Sequence, residues 1–140
     1  MKDEILELYN KTNHFGALLG MKYKILDSGE VIYKAKITED FLATTKAAHG
    51  GFIAAFMDAV VGVAALSKVI YDGKVVSTVE MKINFLKPAN LGDQLTGNGK
   101  VLKAGKSLII TEGKIYNQNN ELIAICLATM NAYPFERLLK

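Results

Sequence analysis

The chain has little of what holds together several common classes of small protein. A single cysteine, Cys126, excludes a disulfide framework within the chain and any metal site built from several cysteines. Two histidines are too few for a histidine-rich metal centre. The two prolines are isolated, and no repeat, linker or low-complexity tract is present. No metal site is therefore predicted.

A strong charge of one sign is also lacking. The 17 Lys and Arg residues against 14 Asp and Glu residues give a net charge of only +3. Because domains that bind nucleic acid usually carry a strongly basic patch, no nucleic-acid partner is predicted. Three acids among the first seven residues do not resemble a signal or transit peptide, so a cytoplasmic location is predicted.

What the chain does have is apolar sequence. Half of its 140 residues are hydrophobic, which predicts one domain over residues 1–140 with a substantial core. Residues 50–66 form an apolar run with a single charge, Asp58, near its centre. A membrane-spanning helix needs about 20 apolar residues and tolerates a central carboxylate poorly. A helix over residues 50–70, buried inside a folded domain and not in a membrane, is therefore predicted.

Strand periodicity surrounds this helix. An amphipathic helix is predicted at residues 3–12, and loops are predicted at 13–20 and 38–48. Alternating apolar residues predict strands at 21–26, 31–37 and 75–86. Strands are also predicted at 94–103, 107–116 and 121–132, and the last of these is apolar on both faces, which predicts a central position in the sheet. The order is a hairpin, the buried helix and a four-stranded meander. Because a helix without a polar face must be enclosed, the predicted fold is α+β, an antiparallel sheet curled around one long central helix as in the hotdog fold.

Asp58 needs an explanation, because an ionised carboxylate on a buried helix is unfavourable unless it is paired or functional. Helical periodicity places it on a face of small residues, which permit close approach of a ligand or of another backbone. The other residues predicted on this face are Gly51, Ala54, Ala55, Val61, Gly62 and Ala65. Asp58 is interpreted either as a general base or nucleophile, or as a structural carboxylate at a subunit boundary.

The tripeptide His49-Gly50-Gly51 precedes the helix. Free N–H groups at a helix start bind polarised oxygen, and two glycines let a ligand approach the backbone, which outlines an oxyanion hole. His49 fits two roles, a cap of the helix and a direct contact to a ligand.

Together these segments resemble the hotdog thioesterases of the phenylacetate-degradation, or PaaI-like, group. The resemblance covers roughly residues 14–133. It rests on residues 49–51, the acid at 58, the segment 77–89 (STVEMKINFLKPA), His14-Phe15, Leu19-Gly20 and Gly92-Asp93. It implies an acyl-CoA thioesterase that uses neither a metal nor a redox cofactor.

The resemblance also implies the roles of single residues. Asp58 attacks the acyl-CoA thioester or activates a water molecule to attack it. The Gly50 amide polarises the thioester carbonyl, with Gly51 beside it. Thr78 places the acid or the water.

One position departs from the family pattern. Many members have an asparagine six residues before the histidine, where this chain has Ala43. Thr44 and Thr45 are the candidate substitutes. The departure keeps open a second hypothesis, a non-catalytic module that binds acyl-CoA.

Two further groups of residues are candidates for binding substrate. Lys103 and Lys106 flank a predicted turn that presents two ammonium groups side by side, which suits the phosphates of coenzyme A, although a solvated basic rim explains them too. Four apolar residues are candidates for an acyl pocket, although each also fits an ordinary core. They are Phe52, Phe56, Met57 and Tyr133.

The spacing of Gly50 and Asp58 predicts a site shared between subunits. Eight residues of helix separate them by about 12 Å, too far for one carbonyl to meet both. Two antiparallel copies of the helix would bring Gly50 of one chain to Asp58 of the other. A homodimer or a dimer of dimers is therefore predicted, with each active site built from two chains.

Overall fold

The structure is a computed structural model that describes residues 1–140. Its helices are α1 (Lys2–Thr12), α2 (His14–Leu18) and α3 (Gly50–Val69). Its strands are β1 (Lys22–Asp27), β2 (Glu30–Lys36), β3 (Lys74–Phe85), β4 (Gln94–Ala104), β5 (Leu108–Tyr116) and β6 (Leu122–Pro134). Short 3-10 helices lie at Glu39–Phe41, Ile70–Asp72 and Phe135–Leu139. The six strands and the two longer helices were all predicted from the sequence.

The segment 13–20 was predicted to be a loop, and this prediction is wrong because the segment contains α2. The side-chain oxygen of Asn13 accepts the Gly16 N–H at 3.1 Å and so caps the helix. A helix of five residues is too short to show a periodicity in the sequence.

The six strands form one antiparallel sheet in the order β1-β2-β4-β5-β6-β3. The predicted four-stranded meander is therefore wrong, since only β4, β5 and β6 follow one another and β3 lies at the far edge. The eight residues 86–93 between β3 and β4 exceed a hairpin loop. They run beside the start of α3, where Ala48 donates its N–H to the carbonyl of Ala89. Alternation identifies a strand but does not identify its neighbours.

Helix α3 contacts all six strands and fills the centre of the domain. Its bulky face is buried against the sheet, with Phe56, Met57 and Val60 fully covered. Glycines in the sheet make room for it, because a Cβ at Gly99 would lie only 2.6 Å from the carbonyl oxygen of Val60. By length and composition the segment Gly50–Asp72 is apolar enough to cross a membrane, but 67% of its apolar window is buried inside the fold. The prediction of a central core helix is confirmed.

Helix α1 bridges the two edges of the curled sheet. At one end Ile5 packs in a cluster with Leu66 of α3 and Val75 of β3. At the other end the Tyr9 ring packs edge-on against Tyr23 of the edge strand β1, with centroids 6.0 Å apart, and its hydroxyl lies 3.2 Å from that of Tyr33 on β2. A sheet wrapped around one long helix is the predicted hotdog arrangement, with α1 laid across the side that the sheet leaves open.

Candidate active site

Asp58 lies half-buried on α3, and Thr78 of β3 faces it. The Thr78 hydroxyl donates a hydrogen bond of 2.6 Å to Oδ1 of Asp58, a length typical of a hydroxyl on an ionised carboxylate. No protein group donates a hydrogen bond to Oδ2. One carboxylate oxygen is therefore held in place, and the other is free to take a proton or to attack a substrate.

A β-bulge at Val79 directs Thr78 toward α3. In the pairing of β3 with β6, Thr78 lies opposite the buried Met130 and Glu80 lies opposite Thr129, so Val79 has no partner. The extra residue reverses the alternation of faces along the strand. Without the reversal, Thr78 would share the outer face of the sheet with the charged side chains of β3.

The bulge also corrects the predicted orientation of β3. Strict alternation placed Val79 on the inner face with Met81, Ile83 and Phe85. Val79 is instead 58% exposed, whereas Met81 and Ile83 pack against the core. An inserted residue of this kind leaves no mark in the hydrophobic pattern.

His49 caps the start of α3. Its Nδ1 accepts the N–H of Gly51 at 2.7 Å, while its Nε2 makes no hydrogen bond within the chain. Gly51 has no room for a side chain, because a Cβ there would lie 2.8 Å from Nδ1 of His49. Of the two interpretations of His49, the capping role is therefore present in the structure.

The Gly50 N–H is left as the unused amide at the helix start. As the first residue of α3, Gly50 has no earlier helical carbonyl to bond, and no loop carbonyl or side chain accepts its N–H. The Gly51 amide is already bonded to His49. One free N–H group, not two, is thus available to a polarised oxygen.

The small-residue face around Asp58 is present, with two exceptions. Val61 and Ala65 were predicted on this face but are fully buried. Val61 packs against Gly113 of β5, and Ala65 belongs to the main core cluster. The partly exposed or exposed residues of the face are Gly51, Ala54, Ala55, Asp58, Ala59 and Gly62.

The loop that contains Ala43, where many family members have asparagine, is held by hydrogen bonds between its own residues. The Thr44 hydroxyl accepts the N–H groups of Lys46 and Ala47, at 3.4 Å and 2.9 Å. The Ala43 N–H donates to the carbonyl of Ala47. Thr45 is exposed and forms no hydrogen bond through its hydroxyl. Both threonines therefore keep an unused hydroxyl donor, and the Thr44 hydroxyl is in addition held by the two N–H groups that it accepts.

The turn between β4 and β5, which carries Lys103 and Lys106, lies at the same end of the sheet as Thr78. The register places Leu108, Asn131 and Ser77 side by side on β5, β6 and β3. Neighbouring strands are about 4.8 Å apart, so the turn before Leu108 lies about 10 Å from Ser77. Lys103 and Lys106 are both exposed at this turn.

A cavity of about 290 Å³, not foreseen from the sequence, adjoins Asp58 and Thr78. Tyr133 is the only one of the four predicted acyl-pocket residues that lines it. The other three, Phe52, Phe56 and Met57, are buried in the core against the sheet. Helix α1 lines the cavity through its apolar face. Tyr9 lies on this face, and the amphipathic pattern of the helix was the sequence feature that could have indicated a place beside the site.

No three His, Cys, Asp or Glu side chains lie close enough together to hold a metal ion.

Comparison with protein families gives one matching model, described as the thioesterase superfamily, over residues 45–124. The match includes the helix start, Asp58 and Thr78. Among curated proteins, human acyl-coenzyme A thioesterase 13 is 30% identical over 124 residues, which cover 86% of each chain.

Solved structures share the fold. The PaaI protein from the phenylacetic acid degradation operon of E. coli superposes with a TM-score of 0.85 at 21% identity, covering 94% of this chain and 93% of that one. A Streptococcus mutans protein solved with bound acetyl-CoA has a TM-score of 0.75 at 25% identity, covering 81% of this chain and 89% of that one.

Proposed function

The chain belongs to the thioesterase superfamily, and we propose that it is an acyl-CoA thioesterase that hydrolyses a thioester to a carboxylate and free CoA. The observation that carries this proposal is the Thr78–Asp58 hydrogen bond at the edge of an apolar cavity. A carboxylate with one oxygen fixed and the other free suits general-base or nucleophilic chemistry. The similar proteins named as a thioesterase and as bound to acetyl-CoA support a CoA thioester as the substrate.

In the general-base route, Oδ2 of Asp58 takes a proton from a water molecule as the water oxygen attacks the thioester carbonyl carbon. The Gly50 N–H stabilises the negative oxygen of the tetrahedral intermediate. Collapse of the intermediate breaks the C–S bond. The CoA sulfur leaves with the proton held by Asp58, and the acyl group leaves as a carboxylic acid that ionises in solution.

In the nucleophilic route, Oδ2 of Asp58 attacks the carbonyl carbon directly and CoA leaves as a thiolate. Water then hydrolyses the mixed anhydride and restores the carboxylate. Mass spectrometry of acid-quenched protein distinguishes the routes, because only the second adds an acyl group to Asp58. Both routes need Gly50 near the carbonyl.

The two parts of the site come from two subunits in this proposal. Gly50 lies beside Phe85 at one end of β3, where a Cβ would be 3.7 Å from the Phe85 ring. Asp58 is bonded to Thr78, seven residues earlier on the same strand. Within one chain, α3 keeps Gly50 and Asp58 about 12 Å apart along its axis.

The unpaired edge of β3 supports a specific dimer. This 12-residue strand pairs only with β6, so its other edge is free to pair with a second chain. Antiparallel pairing of two β3 strands about a two-fold axis between Met81 and Lys82 sets Thr78 opposite Phe85 of the partner subunit. Gly50 of the partner subunit then approaches Asp58, and two equivalent sites form per dimer.

The experiment that tests the function is release of free thiol from a panel of acyl-CoA esters by the wild type and by Asp58→Asn. The wild type is expected to release thiol, and the variant is expected to lose about a hundredfold or more in kcat, the usual contribution of a general base. Calorimetry measures whether Asp58→Asn still binds the same ester.

The second candidate function, a non-catalytic acyl-CoA-binding module, is favoured by Ala43 at the position of the family asparagine. Binding of acyl-CoA by the wild type without thiol release would establish it and reject the thioesterase. Equal thiol release by the wild type and Asp58→Asn would reject the assignment of Asp58.

A further inference from the structure

The hydroxyl of Tyr9, on the face of α1 that covers α3, is held by two neighbouring side chains. The Asn13 side-chain amide lies 3.1 Å from it and the Tyr33 hydroxyl lies 3.2 Å from it. The side-chain oxygen of Asn13 already accepts the Gly16 N–H, so the group that faces Tyr9 is the NH2 of the amide. Asn13 therefore donates a hydrogen bond and the Tyr9 oxygen accepts it.

Burial decides the direction of the hydrogen bond between the two tyrosines. Tyr33 is only 1% exposed, and the Tyr9 hydroxyl is the one hydrogen-bond partner of its own hydroxyl. If Tyr9 donated this bond, the Tyr33 proton would be buried without an acceptor, which is costly. Tyr33 therefore donates, and the Tyr9 oxygen accepts a second hydrogen bond.

The proton of the Tyr9 hydroxyl is consequently left over. Two accepted hydrogen bonds occupy the lone pairs of the Tyr9 oxygen, and no acceptor within the chain bonds to its proton. Tyr9 also lines the cavity that contains Asp58. Twelve of the 17 residues that line this cavity are hydrophobic, and Asp58 is the only charged one. Asp58 is therefore the strongest acceptor in the space that Tyr9 borders.

The catalytic carboxylate lacks the complementary donor. Oδ1 of Asp58 accepts the single proton of the Thr78 hydroxyl at 2.6 Å, and Oδ2 receives no hydrogen bond from the protein. Because Thr78 has no further proton, it cannot also donate to a water molecule. A water that gives a proton to Oδ2 thus needs another donor to fix the position of its oxygen.

The phenol of Tyr9 and the carboxylate of Asp58 influence each other electrostatically. Burial raises the pKa of Tyr9 above its ordinary value of 10.0, the hydrogen bond from Tyr33 opposes this in part, and the negative charge of Asp58 adds to the rise. At neutral pH Tyr9 therefore keeps its proton and remains a donor.

We propose that Tyr9 donates its free proton to a water molecule that in turn donates to Oδ2 of Asp58, and that this water is the one consumed in the hydrolysis. The inference rests on the proposed thioesterase function and adds a positioning residue to it. In the general-base route Oδ2 takes one proton from the water as its oxygen attacks the carbonyl carbon, and Tyr9 keeps its own proton throughout. In the nucleophilic route the same water hydrolyses the mixed anhydride.

The test compares Tyr9→Phe with Tyr23→Phe, each of which removes one hydroxyl. Tyr23 is the matched control because it is also half-buried, packs against the Tyr9 ring and donates to Asn10 of α1 at 2.7 Å, yet does not line the cavity. For the ester of the acyl-CoA panel that the wild type hydrolyses fastest, Tyr9→Phe is expected to lower kcat by about tenfold or more. Its KM is expected to change by less than about twofold, because the water and not the ester loses a donor.

The control is expected to keep kcat and KM within about twofold of the wild type. Calorimetry with the thioether analogue of the same ester, which is not hydrolysed, counts the sites that bind, and their number is expected to be equal in all three proteins. Equal kcat for the wild type and Tyr9→Phe would overturn the proposal. An equal fall in Tyr23→Phe, or a loss of binding sites that matches the fall in kcat, would overturn it too and assign the effect to the packing of α1.

Failure of the proposed function gives a different result. If the wild type releases thiol from no ester, crystal structures of the wild type and Tyr9→Phe decide the water site separately. An ordered water within about 3.2 Å of both the Tyr9 hydroxyl and Oδ2 of Asp58, absent from Tyr9→Phe, supports the site without the reaction. A wild-type structure in which no water contacts both atoms rejects it.

Discussion

The hydroxyl of Thr78 is the only protein group that fixes Asp58. Replacing it by Thr78→Val keeps the shape of the side chain and removes the donor, so the carboxylate becomes free to rotate. A hydrogen bond to a charged group contributes about 1.5 to 3 kcal/mol, which corresponds to a fall in kcat of about 10- to 150-fold. Thr78→Ser is the matched control and retains most of the activity. Steady-state thiol release measures both, and equal kcat for Thr78→Val and the wild type would contradict this role.

Cys126 is a buried free cysteine on β6 and is expected to be unreactive. Burial raises the pKa of its thiol to about 11 from an ordinary 9.0, and the negative charges of Glu80 and Asp58 act in the same direction. At pH 8 the reactive thiolate is therefore about a hundredfold scarcer than for an unperturbed thiol.

The prediction is that iodoacetamide alkylates Cys126 in the folded protein at pH 8 at least about a hundredfold more slowly than in urea-unfolded protein. The rate in the folded protein should rise about tenfold per pH unit up to pH 10. Mass spectrometry over time gives both rates. Similar rates in the two states would show a reactive thiol instead.

At the scale of the element, α3 contains two glycines whose replacement by alanine is expected to change the free energy of unfolding in opposite directions. Gly51→Ala places a Cβ 2.8 Å from Nδ1 of His49 and displaces the cap, at a cost of about 1 kcal/mol. Gly62→Ala meets no atom and removes a flexible residue from the helix interior, a gain of about 1 kcal/mol. Urea denaturation measures the free energy of unfolding of each. If Gly51→Ala stabilises as much as Gly62→Ala, the His49 cap does not contribute.

The turn between β4 and β5 carries the proposed contact to the CoA nucleotide. The double change Lys103→Ala and Lys106→Ala is expected to raise KM for octanoyl-CoA by up to about 30-fold, since exposed charge pairs contribute at most about 1 kcal/mol each. S-octanoyl pantetheine, which lacks the nucleotide, should be unaffected. Lys22 and Lys34, paired across β1 and β2, provide a control of the same charge in Lys22→Ala with Lys34→Ala. Equal losses for the two substrates would exclude a phosphate role.

The sequence was sufficient to predict the two longer helices and the six strands, but neither α2 nor the complete arrangement of the strands. Alternating apolar residues located strands such as β1, β2 and β3, whereas α3 was recognised as an apolar run with a single charge and β6 as a strand apolar on both faces. The hydrophobic pattern did not place β3 beside β6, since a connection of eight residues fits several neighbours. It also missed the bulge at Val79, because an unpaired residue changes hydrogen bonding without changing composition.

The candidate site was likewise predicted only in part from the sequence. Asp58 was identifiable because a lone carboxylate in an apolar helix is costly, and Thr78 was implied by family resemblance. The cavity was not identifiable, because it depends on α1 meeting residues more than forty positions later in the chain. The capping bond of His49 was one of two alternatives, since sequence does not show which nitrogen is satisfied.

At the scale of the whole molecule, the two-subunit site predicts complementation. Gly50→Val and Asp58→Asn should each be inactive alone. After co-refolding, half of the randomly paired dimers are mixed and each has one intact site, so up to about a quarter of wild-type activity should return. Light scattering confirms that dimers form.

The control mixes Asp58→Asn with Thr78→Val. Both residues belong to the same chain in every site, so each site of a mixed dimer carries one damaged residue and no activity beyond that of the separate variants is expected. Mixed dimers of Gly50→Val with Asp58→Asn that remain inactive would place the whole site within one chain.

The position of β3 beside β6 also governs how the domain is made. On the ribosome, β3 is synthesised before β4, β5 and β6, yet its only strand partner within the chain is β6. At about 5 to 20 residues per second, the interval from Phe85 to Pro134 lasts about 2 to 10 s. During this interval β3 has two unpaired edges and an apolar face, the features that favour aggregation of nascent chains. Pausing of translation within this interval would therefore prolong the most vulnerable stage of the protein's life, and release of β6 from the ribosome ends it.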